Sequence, residues 1–153
     1  MSARVYLGFD YGGKFIGVAV GSTHSGLAQP VATVRVNANR EPDWEQIARL
    51  VAEWRPHALV VGLPLNMDGT EQTMTRAARA FGDRLRERYN LPLHMVDERL
   101  TTRAAKDQLY AAGIAGTRHK SRLDKVAAQT ILQSFLDAQQ KSTQEKATDA
   151  NGR

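Results

Sequence analysis

Three acidic residues stand at positions where burial makes a negative charge costly. Asp10 ends one apolar segment, Glu98 ends another, and Asp124 lies among the apolar positions of a helical pattern. Neighbouring buried carboxylates repel one another unless cations hold them together, so this set predicts a divalent-metal site. The chain has no Cys, and its His residues do not cluster with these acids in the sequence. This favours one or two Mg²⁺ or Mn²⁺ ions over Zn²⁺.

The two acids at segment ends also have structural interpretations. Asp10 precedes Gly12-Gly13 and could be a turn residue that accepts backbone N–H bonds. Asp97 is the runner-up to Glu98 as the second ligand, because successive strand residues face opposite ways and one of the two should point toward the strand ends. Both could instead be exposed loop acids paired with Arg99.

Asp124 has the strongest competing interpretation. With Ser121 it matches the S-x-x-D form of a capping box, which would tie down a helix start. A helical stripe favours a site role, because apolar residues follow Asp124 at i+3, i+4, i+7 and i+11. These residues are Ala127, Ala128, Ile131 and Phe135.

Hydrophobic patterning predicts five strands, at residues 4–10, 15–20, 31–36, 58–63 and 93–96. Asp43 is predicted to cap a first helix with Gln46 as its capping-box partner, and further helices are expected at about 71–89, 101–112 and 122–138. Residues 1–138 are therefore predicted to form a single domain. The polar tail 139–153 is predicted to be disordered.

This order predicts an α/β fold. The first three strands should form an antiparallel meander and the last two should add parallel strands, which gives a mixed five-stranded sheet with helices on both faces. Ligands of such sheets gather at the carboxyl ends of central strands, where Asp10 and Glu98 both fall. The loop 64–70 should open at the same edge, as an Asp-Gly turn with Thr70 capping the next helix; substrate contact by Asn66 or Thr70 is a secondary hypothesis.

The charge distribution indicates a polyanionic partner. The net charge is +5, and 15 of the 21 Lys and Arg residues lie in residues 76–153. A solvated surface is the alternative interpretation. The basic residues predicted to bind nucleic acid flank the acids along the chain: Lys14, Arg99, Arg103, Arg118, Lys120 and Arg122.

Composition argues against several other classes of protein. Without Cys the chain can form neither disulfides nor thiolate metal sites. The early apolar run Val5–Phe9 is too short for a secretory signal, and no segment approaches the roughly 18 apolar residues of a membrane span. We therefore expect a cytoplasmic protein with no membrane partner.

The chain resembles the YqgF family of pre-16S rRNA nucleases, also called Holliday-junction-resolvase-like proteins. Four segments carry the resemblance, in the expected order: GFDYGGKFIGVAVG, VVGLPLNMDGTEQ, VDERLTT and SRLDKVAAQTILQSFL. It implies a ribonuclease H-like fold, a cytoplasmic role in maturing the 5′ end of small-subunit ribosomal RNA, and acidic site positions at Asp10, Glu98 and Asp124.

The leading hypothesis is metal-dependent phosphodiester hydrolysis on pre-16S rRNA, with ribosomal particles as further partners. Resolution of four-way DNA junctions would use the same site and would usually need a homodimer, whereas the sequence leaves monomer or homodimer open. A non-catalytic RNA-binding module would need the basic surface but not the acids. An actin-like ATPase, suggested by the Asp-x-Gly hairpin, would need two such lobes, and 153 residues supply one.

Overall fold

The structure is a computed structural model that describes residues 4–98 and 120–151, with side chains described for residues 4–98 and 126–141. Within these residues the strands are β1 (Val5–Tyr11), β2 (Phe15–Ser22), β3 (Ala28–Arg35), β4 (Ala58–Leu63) and β5 (Leu93–Asp97). The helices are α1 (Trp44–Trp54), α2 (Thr73–Tyr89) and α3 (Lys120–Asn151).

The strands form one mixed sheet in the order β3-β2-β1-β4-β5. β1 pairs antiparallel with β2, and β2 pairs antiparallel with β3. β4 joins β1 in parallel, and β5 joins β4 in parallel. The predicted α/β architecture, an antiparallel meander followed by parallel strands, is confirmed.

Each face of the sheet has its own apolar core. Alternate residues of β1 divide between them: Leu7 and Phe9 pack with α1 and α2, whereas Tyr6 packs with α3. We call the two sides of the sheet the α1/α2 face and the α3 face. Every residue of β4 is buried, as predicted for a strand that is covered on both faces.

Glycines bring α3 unusually close to the sheet. A Cβ atom at Gly8 would lie 2.9 Å from Leu132 Cβ, and one at Gly21 would lie 2.7 Å from Leu136 Cδ1. These helix side chains therefore occupy the space that strand side chains would otherwise fill. The contacts fix how far α3 lies along β1.

The helix ends differ in part from prediction. Asp43 caps α1 by accepting a hydrogen bond from Gln46 N–H (3.2 Å), but the Gln46 side chain donates to Thr33 O (3.3 Å) and does not complete a capping box. The capping box belongs instead to α2, where Gln72 and Thr75 form it, so Thr70 is not the cap.

The predicted end of the last helix, near residue 138, is wrong because α3 continues to Asn151. The continuation is consistent with its composition, since Gln, Lys, Glu and Ala are good helix formers. Whether residues 1–138 are the autonomous unit stays a prediction. The predicted helix at 101–112 lies outside the described residues.

Candidate metal and nucleic-acid site

Asp10 lies near the carboxyl end of β1 and is only 6% exposed. Its side chain is on the α3 face, because Phe9 packs in the opposite core. Gly17 is its partner on β2, and Gly62 occupies the next register position on β4, after the Phe9–Val61 pair. Neither of these cross-strand neighbours has a side chain, so no strand side chain separates this carboxyl group from groups that approach over Gly62.

Glu98 directly follows β5, where its N–H donates a hydrogen bond to Leu63 O (3.2 Å). Its carboxylate extends over Gly62: a Cβ atom at Gly62 would collide with Glu98 Oε2 and with Ile131 Cδ1. Glu98 is therefore on the α3 face. Asp97 is exposed and alternates with Val96, which packs on the α3 side, so Asp97 faces the other way.

Asp10 and Glu98 thus come together across a single glycine. Adjacent strands lie about 4.8 Å apart, so Asp10 and the space over Gly62 are neighbours on the same face. Two carboxylates in such positions are within reach of a shared ion. This proximity is produced by the fold, since the two residues are far apart along the chain.

Asp124 is placed by the register of α3. Leu132 lies over Gly8, and Asp10 is about 6.6 Å further along β1 at ~3.3 Å per residue. A matching step of about 6 Å toward the N-terminus of α3, at ~1.5 Å per residue, leads from Leu132 to Ala128, which is therefore level with Asp10. Asp124 lies one helical turn further toward the N-terminus. The buried Ala127, Ala128 and Ile131 confirm the apolar stripe, although the Asp124 side chain lies outside those described.

The donor set fits a hard divalent cation. Two carboxylates provide the oxygen ligands that Mg²⁺ and Mn²⁺ prefer. Among the described side chains, which omit Asp124, no group of three acidic or histidine ligands is present. The ligand assignment of Asp10, Glu98 and Asp124 therefore stays a prediction.

The basic residues of the predicted interface are only partly placed. Lys14 is exposed in the turn between β1 and β2, at the same edge as Asp10. The side chains of the other five lie outside those described. Arg99, Arg103 and Arg118 lie outside the described residues, and Lys120 and Arg122 are placed by their backbone in the first turn of α3.

The loop after β4 is a hydrogen-bonded turn beside this edge. Gly69 has a positive φ of 90° and donates to Asn66 O (2.8 Å), so the predicted Asp-Gly turn is confirmed. Asp68 Oδ1 accepts hydrogen bonds from the Thr70 N–H (2.9 Å) and hydroxyl (2.6 Å). Substrate contact by Asn66 or Thr70 stays a prediction.

The fold is that of the ribonuclease H-like class of proteins. Structural comparison agrees. A Thermus thermophilus RuvC in complex with a Holliday junction substrate superimposes with a TM-score of 0.54 at 19% identity, over 90% of this chain and 96% of that one. A fowlpox virus resolvase bound to Holliday junction DNA gives 0.50 at 12% identity, over 88% and 97%.

Sequence comparison gives the family. The chain matches the RuvX family, described as Holliday junction resolvase, over residues 4–138, and it belongs to this family of nucleases, which hydrolyse phosphodiester bonds. A Pseudomonas putida relative named "Putative pre-16S rRNA nuclease" is 49% identical, with 88% of this chain and 96% of the relative covered. An Aeromonas salmonicida relative of the same name is 47% identical, over 91% and 99%.

Sequence reasoning missed Gly62. It is the fifth residue of the apolar run ALVVGL, and a glycine inside a buried strand signals a close approach by another group. That group is the Glu98 carboxylate. The identity of the approaching group could not be read from the sequence, because it depends on the parallel pairing of β4 with β5.

Proposed function

We propose that the protein is a metal-dependent nuclease in which Asp10, Glu98 and Asp124 hold the ion. The observation that carries this proposal is the convergence of Asp10 and Glu98 on one face of the sheet, on either side of Gly62. A purely structural role does not account for this convergence, because two neighbouring carboxylates repel each other and each makes the other harder to ionise.

Each residue has a definite part in the proposed reaction. Asp10 and Glu98 supply carboxylate oxygens from rigid strand ends, so little reorganisation is needed to bind an ion. Asp124 would close the ligand set from α3. Lys14 would neutralise backbone charge at the exposed edge. A bound Mg²⁺ or Mn²⁺ supplies charge stabilisation and a more acidic water.

The proposed substrate is pre-16S rRNA, cleaved during maturation of its 5′ end in the cytoplasm. This proposal is supported by relatives whose printed names specify that activity and whose sequences are nearly half identical over most of both chains. Ribosomal particles would then be partners. No helix in the described residues is long and apolar enough to cross a membrane.

A second candidate is resolution of four-way DNA junctions. The description of the RuvX family and the junction-bound structures of similar fold support it. The same carboxylates would act on both substrates, so the choice depends on recognition outside the metal site. Paired symmetric cuts by a homodimer would favour this candidate over cleavage of a single RNA strand.

Cleavage assays test both candidates. The purified chain is incubated with Mg²⁺ or Mn²⁺ and either a pre-16S fragment or a four-way junction, beside Asp10→Asn and Glu98→Gln. Each variant should lose about a hundredfold or more in rate, because several kcal/mol of charge stabilisation disappear with a ligand. Asp97→Asn is the matched control and should cleave normally. Equal rates for wild type and Asp10→Asn would refute the mechanism.

A further inference from the structure

Phe15 and Arg35 are cross-strand partners beside the acidic site. The register pairs Phe15 with Arg35, and it places Asp10, Gly17 and Thr33 in the neighbouring row. Phe15 alternates with Ile16, which packs in the α1/α2 core, so Phe15 points to the α3 face. Arg35 alternates with the similarly buried Val34, so it also points to the α3 face, as Asp10 does.

Phe15 differs from the other phenylalanines. Phe9, Phe81 and Phe135 are buried and pair with other aromatic rings. Phe15 is only half-buried, and among the described side chains it belongs to neither core and forms no ring pair. An aromatic ring at the edge of a polar site, without a core partner among these side chains, offers a face on which a base can stack.

Arg35 is anchored by its backbone and exposed at its head. Its carbonyl oxygen accepts a hydrogen bond from Asp43 N–H (2.9 Å), and the next N–H, of Val36, donates to Lys14 O (2.9 Å). The side chain is exposed and forms no ion pair with any of the described side chains. Its guanidinium is therefore available to an anion from solution.

The spacing suits a neighbouring nucleotide. Arg35 lies two strands from Asp10, at about 4.8 Å per strand, and two residues further along, at about 3.3 Å each, so the two Cα atoms are about 12 Å apart. An arginine side chain spans about half of that distance. Phe15, on the strand between them, is closer to Asp10.

We propose that Phe15 and Arg35 form a subsite for the unpaired nucleotide next to the cleaved phosphodiester. Phe15 stacks on its base and Arg35 binds a backbone phosphate. The proposal rests on the nuclease function and deepens it, because a base that stacks on Phe15 must be out of a duplex. The chain would therefore act on strands that are single-stranded at the cleavage site.

Binding measurements in the full-length Asp10→Asn background, which should not cleave, test the subsite. A fluorescent single-stranded decanucleotide is titrated at several KCl concentrations. Phe15→Leu should weaken binding about tenfold and leave the salt slope unchanged. Arg35→Gln should weaken binding and reduce the slope of log affinity against log salt by about 0.7, the value for one phosphate contact on a single strand.

Matched variants separate stacking from packing. Phe15→Tyr keeps an aromatic ring and should bind like Phe15, and Arg49→Gln, an exposed arginine on α1, should change neither affinity nor slope. The wild-type chain and Phe15→Leu should bind a decanucleotide without bases with equal affinity. They should also bind a blunt duplex with equal affinity. The proposal would be overturned if Phe15→Leu lost the same affinity for all three ligands. It would also be overturned if Phe15→Leu and Arg35→Gln bound the decanucleotide with wild-type affinity.

The two proposals fail in different ways. If the wild-type chain cleaves nucleic acid while Phe15→Leu and Arg35→Gln bind the decanucleotide normally, the subsite is refuted and the nuclease function stands. If no nucleic acid is cleaved while both variants lose affinity as expected, the nuclease function is refuted and the binding site stands.

Discussion

Gly62 controls the geometry of the acidic pair. A methyl group in its place would collide with Glu98 Oε2 and Ile131 Cδ1, so a larger residue would displace the carboxylate, the helix or both. The absence of a side chain at this position is therefore as important for the proposed metal site as the acids themselves.

We expect Gly62→Ala to lower the free energy of unfolding by about 1–3 kcal/mol, the usual cost of overpacking. It should also weaken Mn²⁺ binding, because the Glu98 carboxylate must move. Urea denaturation and calorimetric titration with Mn²⁺ measure the two effects. Gly13→Ala is the control, since a Cβ atom there meets nothing within 4 Å, and it should stay within about 0.5 kcal/mol of wild type. Identical behaviour of the two variants would contradict this assignment.

At the residue scale the sequence predicted the Asp10 position but left Asp97 and Glu98 open. Both acids follow an apolar segment, and alternation alone says that they face opposite ways without saying which face carries the site. The packing of Val96 on the α3 side decides the direction of Glu98. That information comes from the tertiary structure.

α3 is tied to the sheet by two glutamines. Gln133 accepts a hydrogen bond from Ala28 N–H (2.9 Å) and donates to Gly26 O (2.8 Å), and Gln129 donates to Ala28 O (3.1 Å). These bonds hold the helix against the start of β3, so they help to fix the register that places Asp124.

Gln133→Ala should therefore destabilise the protein by about 1–3 kcal/mol, because it leaves partly buried backbone groups without their partner. Thermal unfolding followed by circular dichroism measures the loss. The exposed Gln140, one turn past Leu136, serves as the control, and Gln140→Ala should unfold within about 0.5 kcal/mol of wild type. A Gln133→Ala chain as stable as Gln140→Ala would show that these bonds do not hold the helix.

α1 and α2 are joined by an exposed ion pair. Glu41, just before α1, accepts two hydrogen bonds from Arg84 of α2 (2.9 and 2.8 Å), and these bonds lower the pKa of Glu41 below its ordinary value of 4.5. Trp44 completes the contact, with its ring below the Arg84 and Arg88 guanidinium groups.

A lowered pKa in the folded state means that the charged form of Glu41 stabilises the fold. This contribution is present above pH 4.5 and is lost as the pH falls through the depressed pKa. Glu41→Gln should thus be less stable than wild type at pH 7 and equal to it well below the depressed pKa. Urea midpoints across this pH range test the prediction, with Glu45→Gln as control; a stability difference that persists at low pH would contradict it.

At the element scale the periodicity of apolar residues was sufficient for most of the fold. It predicted β4 at its observed bounds, because a run of six buried residues between a proline and a proline-led loop has few alternatives. The end of α3 differs from the prediction, because the polar residues after 138 are typical of a tail but also include good helix formers such as Gln, Lys, Glu and Ala.

The whole molecule is a basic protein with a pair of acidic residues at one edge of its sheet. A net charge of +5 predicts attraction of nucleic acid, and the proposed metal site would confine the reaction to one point. If the six predicted basic residues each contact a phosphate, the slope of log affinity against log salt should be about −4 on a single strand. Fluorescence anisotropy between 50 and 200 mM KCl measures it, and a slope near zero would contradict the basic interface.

The antiparallel meander followed by parallel strands was predicted from the sequence, whereas the convergence of the acids required the structure. Strand alternation and the Asp-Gly turn are local properties, but the Asp10–Gly62–Glu98 row depends on how β1, β4 and β5 pair.

Diffraction from crystals soaked in Mn²⁺ tests the central claim most directly, because the anomalous signal locates the ion without any assay of activity. The account predicts a peak on the α3 face between Asp10 and Glu98, with Asp124 as the third ligand, and no such peak in Asp10→Asn crystals. Carboxylates that point apart, with Mn²⁺ bound elsewhere or not at all, would contradict it.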